Sequence, residues 1–324
     1  MKAITYNCYG SPDNLELREV DTPEVVDDGV LVRVRAASAN PLDWHALRGE
    51  PYLVRLGGGL RRPKADRLGV DVAGHVEAVG KDVTEFRPGD EVFGGRTGAF
   101  AEFVCGVEKN FVPKPPGVPF EQAAAIAIAG CTALQALRDH GHVQPGQSVL
   151  INGAAGGVGT FAVQLAKMFG ADVTGVCSTG NVELVRSLGA DRVVDYTRTD
   201  FTRNGRRYDL IVDAVGNRSL RALRRALESN GTLVIVGGKK GRFLGPLMLP
   251  LKAVLVNRFV DQQLGWFIAN LAKEDLAYLG ELVEAGKVTS VVDRTYPLSE
   301  TAEAIRHLET GHARGKTVIT VESG

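Results

Sequence analysis

Residues 148–170, SVLINGAAGGVGTFAVQLAKMFG, decide the fold class. An apolar run, Val149 to Ile151, enters a turn of glycine and alanine and leaves it as a helix with apolar residues three and four apart. Glycine serves such a turn in three ways: it permits a tight reversal, lets backbone N–H groups approach a pyrophosphate, and lets the helix pack closely on the strand. Gly153, Ala155, Gly156, Gly157, Val158 and Gly159 are therefore the predicted dinucleotide-binding residues, with the phosphate at the positive end of the helix.

Downstream the alternation continues through DVTGVCS, the helical NVELVRSLGA, DRVVDY, YDLIVDAVG, the helical SLRALRRALESN and GTLVIVGG. Apolar strands separated by amphipathic helices predict a parallel, doubly wound α/β sheet covered on both faces. The second strand ends at Ser178-Thr179-Gly180-Asn181, about 20 residues beyond the glycines, where an NAD-binding protein places a carboxylate against the ribose 2'-hydroxyl. With no carboxylate there, Ser178, Thr179 and Asn181 are read as receiving a 2'-phosphate, and the expected cofactor is NADPH. Tyr196, ending the next strand, is a further donor candidate, or else a tyrosine that merely packs at the rim. Val215, Gly216 and Gly237, with Asn217 beside them, lie at strand ends where the rest of a dinucleotide would sit.

Upstream, residues 1–115 carry short β-type runs such as GVLVRVRAAS and GDEVFGG between Gly, Pro and Asp, so a mostly antiparallel β region is expected there. Helical periodicity then begins at PFEQAAAIAIAGCTALQALRDH. After residue 264 a helix, a strand, a helix and a last strand, KTVITV, form a tail too short for a third domain and expected to complete the N-terminal one. The chain has 324 residues, 44% of them apolar, and 38 Lys plus Arg balance 38 Asp plus Glu, so no excess field exists to hold nucleic acid. Cys8, Cys105, Cys131 and Cys177 form no pair motif and read as buried thiols of a reducing compartment. MKAITYNCYG reads as a strand rather than a signal peptide, and the apolar stretch from Ala123 to Leu137 is too short to span a bilayer, so a cytoplasmic protein without an integral membrane segment is expected.

Eight motifs occur in order: Asn40-Pro41-x-Asp43, GVDVAGHVEAVG from Gly69, RPGDEVFG from Arg87, AGCTALQAL from Ala129, NGAAGGVG from Asn152, DAVG from Asp213, VIVGG from Val234, and GHARGKTVITV at the end. Together they make the chain resemble the quinone oxidoreductase branch of the medium-chain dehydrogenase/reductase superfamily, and most of all chloroplast-envelope quinone oxidoreductase homologues. The resemblance implies a GroES-like catalytic domain from residues 1–115 and 265–324, a Rossmann domain from residues 116–264, an active site in the cleft and a homodimer. Zinc alcohol dehydrogenases of the superfamily place Cys where Asn40 stands and His where Val70 stands, and the four-Cys lobe has no counterpart after GDEVFG, so no metal is expected. His75 and His45 are read as a strand residue and a surface or pocket histidine.

Without a Lewis acid, such an enzyme requires acceptors already electrophilic, namely quinones and α,β-unsaturated carbonyls. Asn40 is the first active-site candidate, to orient the nicotinamide ribose or donate to the substrate oxygen, against a plain turn-capping role. Thr132 matches the family threonine near the nicotinamide, against a helix-initiating hydroxyl, and Tyr52 is a candidate proton donor. Asp43 and Asp71 are expected to organise the cleft floor with Arg48. Arg314 and Lys316 are read either as reaching the cofactor or as solvated tail charges. The apolar run from Phe243, broken by Pro246 and Pro250, is read as a pocket-lining loop and interface strand rather than a membrane anchor. Two other functions stay open: an enoyl-thioester reductase using Arg55, Arg61, Arg62 and Lys64 for a carrier phosphate, and an NADPH-binding protein without turnover.

Overall fold

The computed structural model describes residues 1–238 and 245–322, and the chain divides into two compact units, Met1–Cys131 with Leu271–Gly324, and Thr132–Asn270. The first unit opens with β1 (Lys2–Thr5), β2 (Glu16–Glu19), β3 (Gly29–Ala39), α1 (Pro41–Arg48), α2 (Val54–Gly58), β4 (Asp71–Val79), β5 (Glu91–Gly95), β6 (Phe103–Val107) and β7 (Phe111–Pro113). In β3 the exposed Arg33 and Arg35 alternate with the buried Val32, Val34 and Ala36, the period of a strand with one wet face. Val32, Val34, Val72, Phe100, Phe111 and Ile319 fill the core of this unit. The helix predicted from Phe120 is divided: α3 (Phe120–Ala124) stops before Ala125, and α4 (Ala127–Gln135) ends in a π-helical turn at Ala136–His140.

The second unit holds β8 (Ser148–Asn152), β9 (Asp172–Cys177), β10 (Arg192–Asp195), β11 (Tyr208–Asp213), β12 (Leu227–Ile235) and β13 (Gln263–Trp266), all parallel in the order β10-β9-β8-β11-β12-β13. The connecting helices are α5 (Gly157–Met168), α6 (Val182–Ser187), α7 (Leu220–Arg225) and α8 (Gly245–Val256). This is the doubly wound arrangement, whose strand order reverses between β8 and β11 and opens a crevice at their carboxyl ends. Two expectations are corrected here. The helix predicted over SLRALRRALESN ends at Arg225, because Leu227 is already paired with Tyr208 in the sheet. The segment read as a loop and interface strand forms α8 from Gly245 to Val256, while Phe243 and Leu244 lie outside the described residues. Pro246 falls in the first turn of α8, where a missing N–H is harmless, and the helix tolerates Pro250 while Leu249, Ala253 and Val256 pack on the core.

Beyond α9 (Lys273–Glu284) the chain returns to the first unit through β14 (Val292–Pro297), α10 (Thr301–Glu309) and β15 (Lys316–Thr320). The sheet order is β14-β15-β3-β4-β5-β7, with β6 also paired to β3. Two registers matter most: Thr317 lies opposite Ala39, and Ser38 lies opposite Asp71. They bring the residues Asn40, Asp71 and Lys316, distant in the chain, to one end of the sheet. Among the described residues no helix is long and apolar enough to cross a membrane. Of the four cysteines, Cys131 and Cys177 are buried as expected, whereas Cys8 is exposed and Cys105 half-buried.

Candidate functional sites in the two units

In the α/β unit the glycine turn takes the shape its sequence requires. Gly153 has φ of 89°, and a Cβ there would lie 2.7 Å from Val215 Cγ2. A Cβ on Gly159 would sit 2.1 Å from the Gly153 carbonyl oxygen, so this glycine sets the approach of α5 to β8. Gly156 caps α5 and has room for a Cβ, which would meet only the Gly153 oxygen at 3.4 Å. Ala155 is buried behind the turn, and Gly156, Gly157 and Val158 are half-exposed at the helix start, where first-turn amides lack partners within the helix. Across the strand-order reversal, Asp213 at the end of β11 accepts from the amides of Val215 (3.1 Å) and Gly216 (2.9 Å) and from Asn152 Nδ2 (2.8 Å). Asn152 also donates to Asn217. Burial holds the Asp213 carboxyl above the ordinary carboxylate range. Gly237 lies against β11, since a Cβ there would stand 2.1 Å from the Ala214 oxygen.

The end of β9 corrects the reading of Ser178 to Asn181. A carboxylate does reach this turn, supplied by the neighbouring strand: Thr179 Oγ1 donates to Asp195 Oδ2 at 2.6 Å. That proximity is invisible in the linear sequence because it arises from the parallel pairing of Cys177 with Asp195. Asn181 donates to Ser178 Oγ at 3.2 Å, and Tyr196, just beyond β10, is 43% exposed.

In the β-rich unit the registers assemble a buried polar cluster. Asn40 is 2% exposed, Asp71 fully buried and Lys316 3% exposed. Lys316 Nζ donates to Asn40 Oδ1 at 2.5 Å and to Asp71 Oδ2 at 3.0 Å. The same Asp71 oxygen accepts from Ser38 Oγ (2.8 Å) and Asn40 Nδ2 (2.9 Å), while Oδ1 accepts from the Ile128 amide in the first turn of α4. Asp43, at the third position of α1, accepts from the amides of Asn40 and Gly69. Its complete burial pushes the carboxyl up to about 7, against the lowering effect of those two amides. Lys316 is therefore no solvated tail charge. Among the described residues no group of three His, Cys, Asp or Glu side chains could hold a metal ion.

Two family models match the chain, the alcohol dehydrogenase GroES-like domain over residues 26–116 and zinc-binding dehydrogenase over residues 188–319. The chloroplastic quinone oxidoreductase QR1 of Triphysaria versicolor is 33% identical over 340 aligned positions, covering 98% of both proteins. The chain belongs to the quinone oxidoreductase branch of the medium-chain dehydrogenase/reductase superfamily. It is similar as well to the chloroplastic NADPH-dependent alkenal/one oxidoreductase of Arabidopsis thaliana, 34% identical over 98% of this chain and 79% of that protein. The solved structure of the quinone oxidoreductase from Coxiella burnetii superposes with a TM-score of 0.88 at 33% identity over 99% of each chain. This medium-chain dehydrogenase/reductase is accordingly an oxidoreductase, with the GroES-like and Rossmann-type domains of its superfamily.

Thr132 is buried at the sixth position of α4, so a helix-initiating role is ruled out. Tyr52 is 38% exposed, and its ring stacks on the Arg55 guanidinium, 4.6 Å away. Arg55 is also stacked on Tyr9 and donates to the Gly49 and Arg48 carbonyls, which turns one member of the supposed carrier-phosphate path into a loop clamp. Arg48 pairs with Glu309 rather than with Asp43 or Asp71. Arg314 is exposed, unlike Lys316. His45 stacks on Trp44 with Nδ1 2.6 Å from the Glu50 carbonyl, and His75 faces Glu91 at 3.6 Å. Sequence reasoning missed Ser38, Asn152 and Asp195 as structural partners of the candidates. The one available signal was a polar side chain ending an otherwise apolar strand.

Proposed function

We propose that this oxidoreductase reduces quinones or other α,β-unsaturated carbonyls with NADPH and without a metal. The observation that carries the reading is the buried Lys316 ammonium on Asn40 and Asp71: the position that holds a metal ligand in zinc relatives is tied to a cation of the chain's own. The free amides at the start of α5, behind Gly156, suit a pyrophosphate, and the close-packed turn at Gly153 and Gly159 suits a dinucleotide at the strand-order reversal. Bound NADPH supplies a hydride to an electron-poor ring or β-carbon. Lys316 fixes the Asn40 amide plane by holding its oxygen, which fits Asn40 to orient rather than to shuttle protons. Thr132 on α4, and Val215, Gly216 and Gly237 at the strand ends, are the further positions proposed to line the nicotinamide half. Tyr52 is proposed to donate the final proton, with solvent as its substitute.

The test is NADPH oxidation by the purified, chelator-treated protein over a panel of quinones, alkenals and enoyl-CoA thioesters, with NADH run in parallel and metal content measured. Turnover of quinones or alkenals without zinc is the expected result. Activity that tracks bound zinc, or turnover confined to enoyl-CoA, overturns the reading.

A further inference from the structure

We infer that Asp195 and Arg198 together set the choice between the phosphorylated and unphosphorylated coenzyme, making the turn after β9 a balanced charge pair rather than a phosphate receptor. The inference rests on the glycine turn being the coenzyme site. In this fold the end of the second strand selects the ribose 2'-substituent, and here that end is the turn Thr179–Asn181. Thr179 Oγ1 gives its proton to Asp195 Oδ2 at 2.6 Å. The other Asp195 oxygen is held by the Thr197 amide (2.9 Å) and hydroxyl (2.7 Å), and the two threonine oxygens are 3.0 Å apart.

This arrangement has a direction. Because Thr179 has one proton and spends it on Asp195, it presents a lone pair to solvent, which suits a 2'-hydroxyl donor and not an acceptor-only phosphate. The carboxylate is only 15% exposed and cannot swing away freely, and the Thr179 hydroxyl holds it below the usual carboxylate range. A group hydrogen-bonded to Thr179 would lie about 5 Å from a full negative charge, a distance at which two anions repel appreciably even in water. Arg198 opposes this: its Nε stands 3.5 Å from Asp195 Oδ2, and its side chain is 76% exposed. Ser178 and Asn181 remain on the turn as neutral polar groups. The consequence is use of both coenzymes, with NADPH recruited by Arg198 against the repulsion of Asp195.

Equilibrium titration of nicotinamide fluorescence gives Kd for NADPH and for NADH in the wild type, Asp195→Asn and Arg198→Ala, at low and high salt. Asp195→Asn is expected to raise the ratio Kd(NADH)/Kd(NADPH) on the order of tenfold, and Arg198→Ala to lower it several-fold, both shifts shrinking as salt rises. Arg198 is exposed, so its variant reads the charge effect even if Asp195→Asn folds poorly. If both coenzymes bind but the ratio stays within about twofold in both variants at low salt, the inference is overturned. If neither coenzyme binds the wild type, the coenzyme reading itself fails and takes the inference with it.

Discussion

At the residue scale the β-rich unit concentrates its electrostatic risk in one place. Lys316 and Asp71 are both buried and paired: the carboxylate accepts four hydrogen bonds and the ammonium donates two. A buried pair of this kind contributes little when whole and costs heavily when halved. Lys316→Met should therefore lower stability by about 3–5 kcal/mol in urea denaturation, and adding Asp71→Asn should restore part of the loss by removing the stranded charge. Asp43 gives a pH signature. Its folded pKa, about 7, lies above its unfolded value near 4, so the folded state holds a proton that the unfolded state releases. The contribution is fully favourable below about pH 4 and is lost as pH rises through about 7. Melting temperature followed from pH 5 to pH 8 should fall, and Asp43→Asn, although it sacrifices an acceptor for the Asn40 or Gly69 amide, should flatten that fall.

At the scale of single elements, the glycine turn separates conformational need from ligand need. Gly159 is enclosed by the Gly153 carbonyl, so Gly159→Ala must push α5 off β8, and a loss of thermal stability is expected even without coenzyme. Gly156 has open space, so Gly156→Ala should fold normally and instead weaken NADPH binding, measured as Kd by fluorescence. Equal destabilisation by both would mean that the turn is built for packing alone. Most of these elements were legible because their periodicity was strong: β8, β9 and β11, apolar along their centres, and the amphipathic α9 and α10 lie where the pattern puts them. The exceptions have physical causes. The end of α7 was settled by strand pairing of Leu227, a tertiary override of local propensity, and α8 was hidden by prolines that read as breakers although one stands in a first turn.

At the scale of the whole molecule, the two units differ in how the chain builds them. Residues 132–270 form the α/β unit from one continuous stretch, whereas the other unit needs both ends of the chain, with β15 lying between β14 and β3. A fragment of residues 132–270 should therefore keep its α/β circular-dichroism signature, while the chain cut after residue 270 should leave β3 with an open edge and make residues 1–131 the first to be digested in limited proteolysis. Apolar period and glycine placement are local quantities, so the doubly wound sheet and the glycine turn at its strand-order reversal could be read along the chain. The contacts of Lys316 with Asn40 and Asp71, and of Asp195 with Thr179, come instead from the folded arrangement of the strands. Both follow from strand register, which by backbone pairing joins side chains 245 or 16 positions apart, a partnership that neither residue's own neighbourhood in the chain specifies.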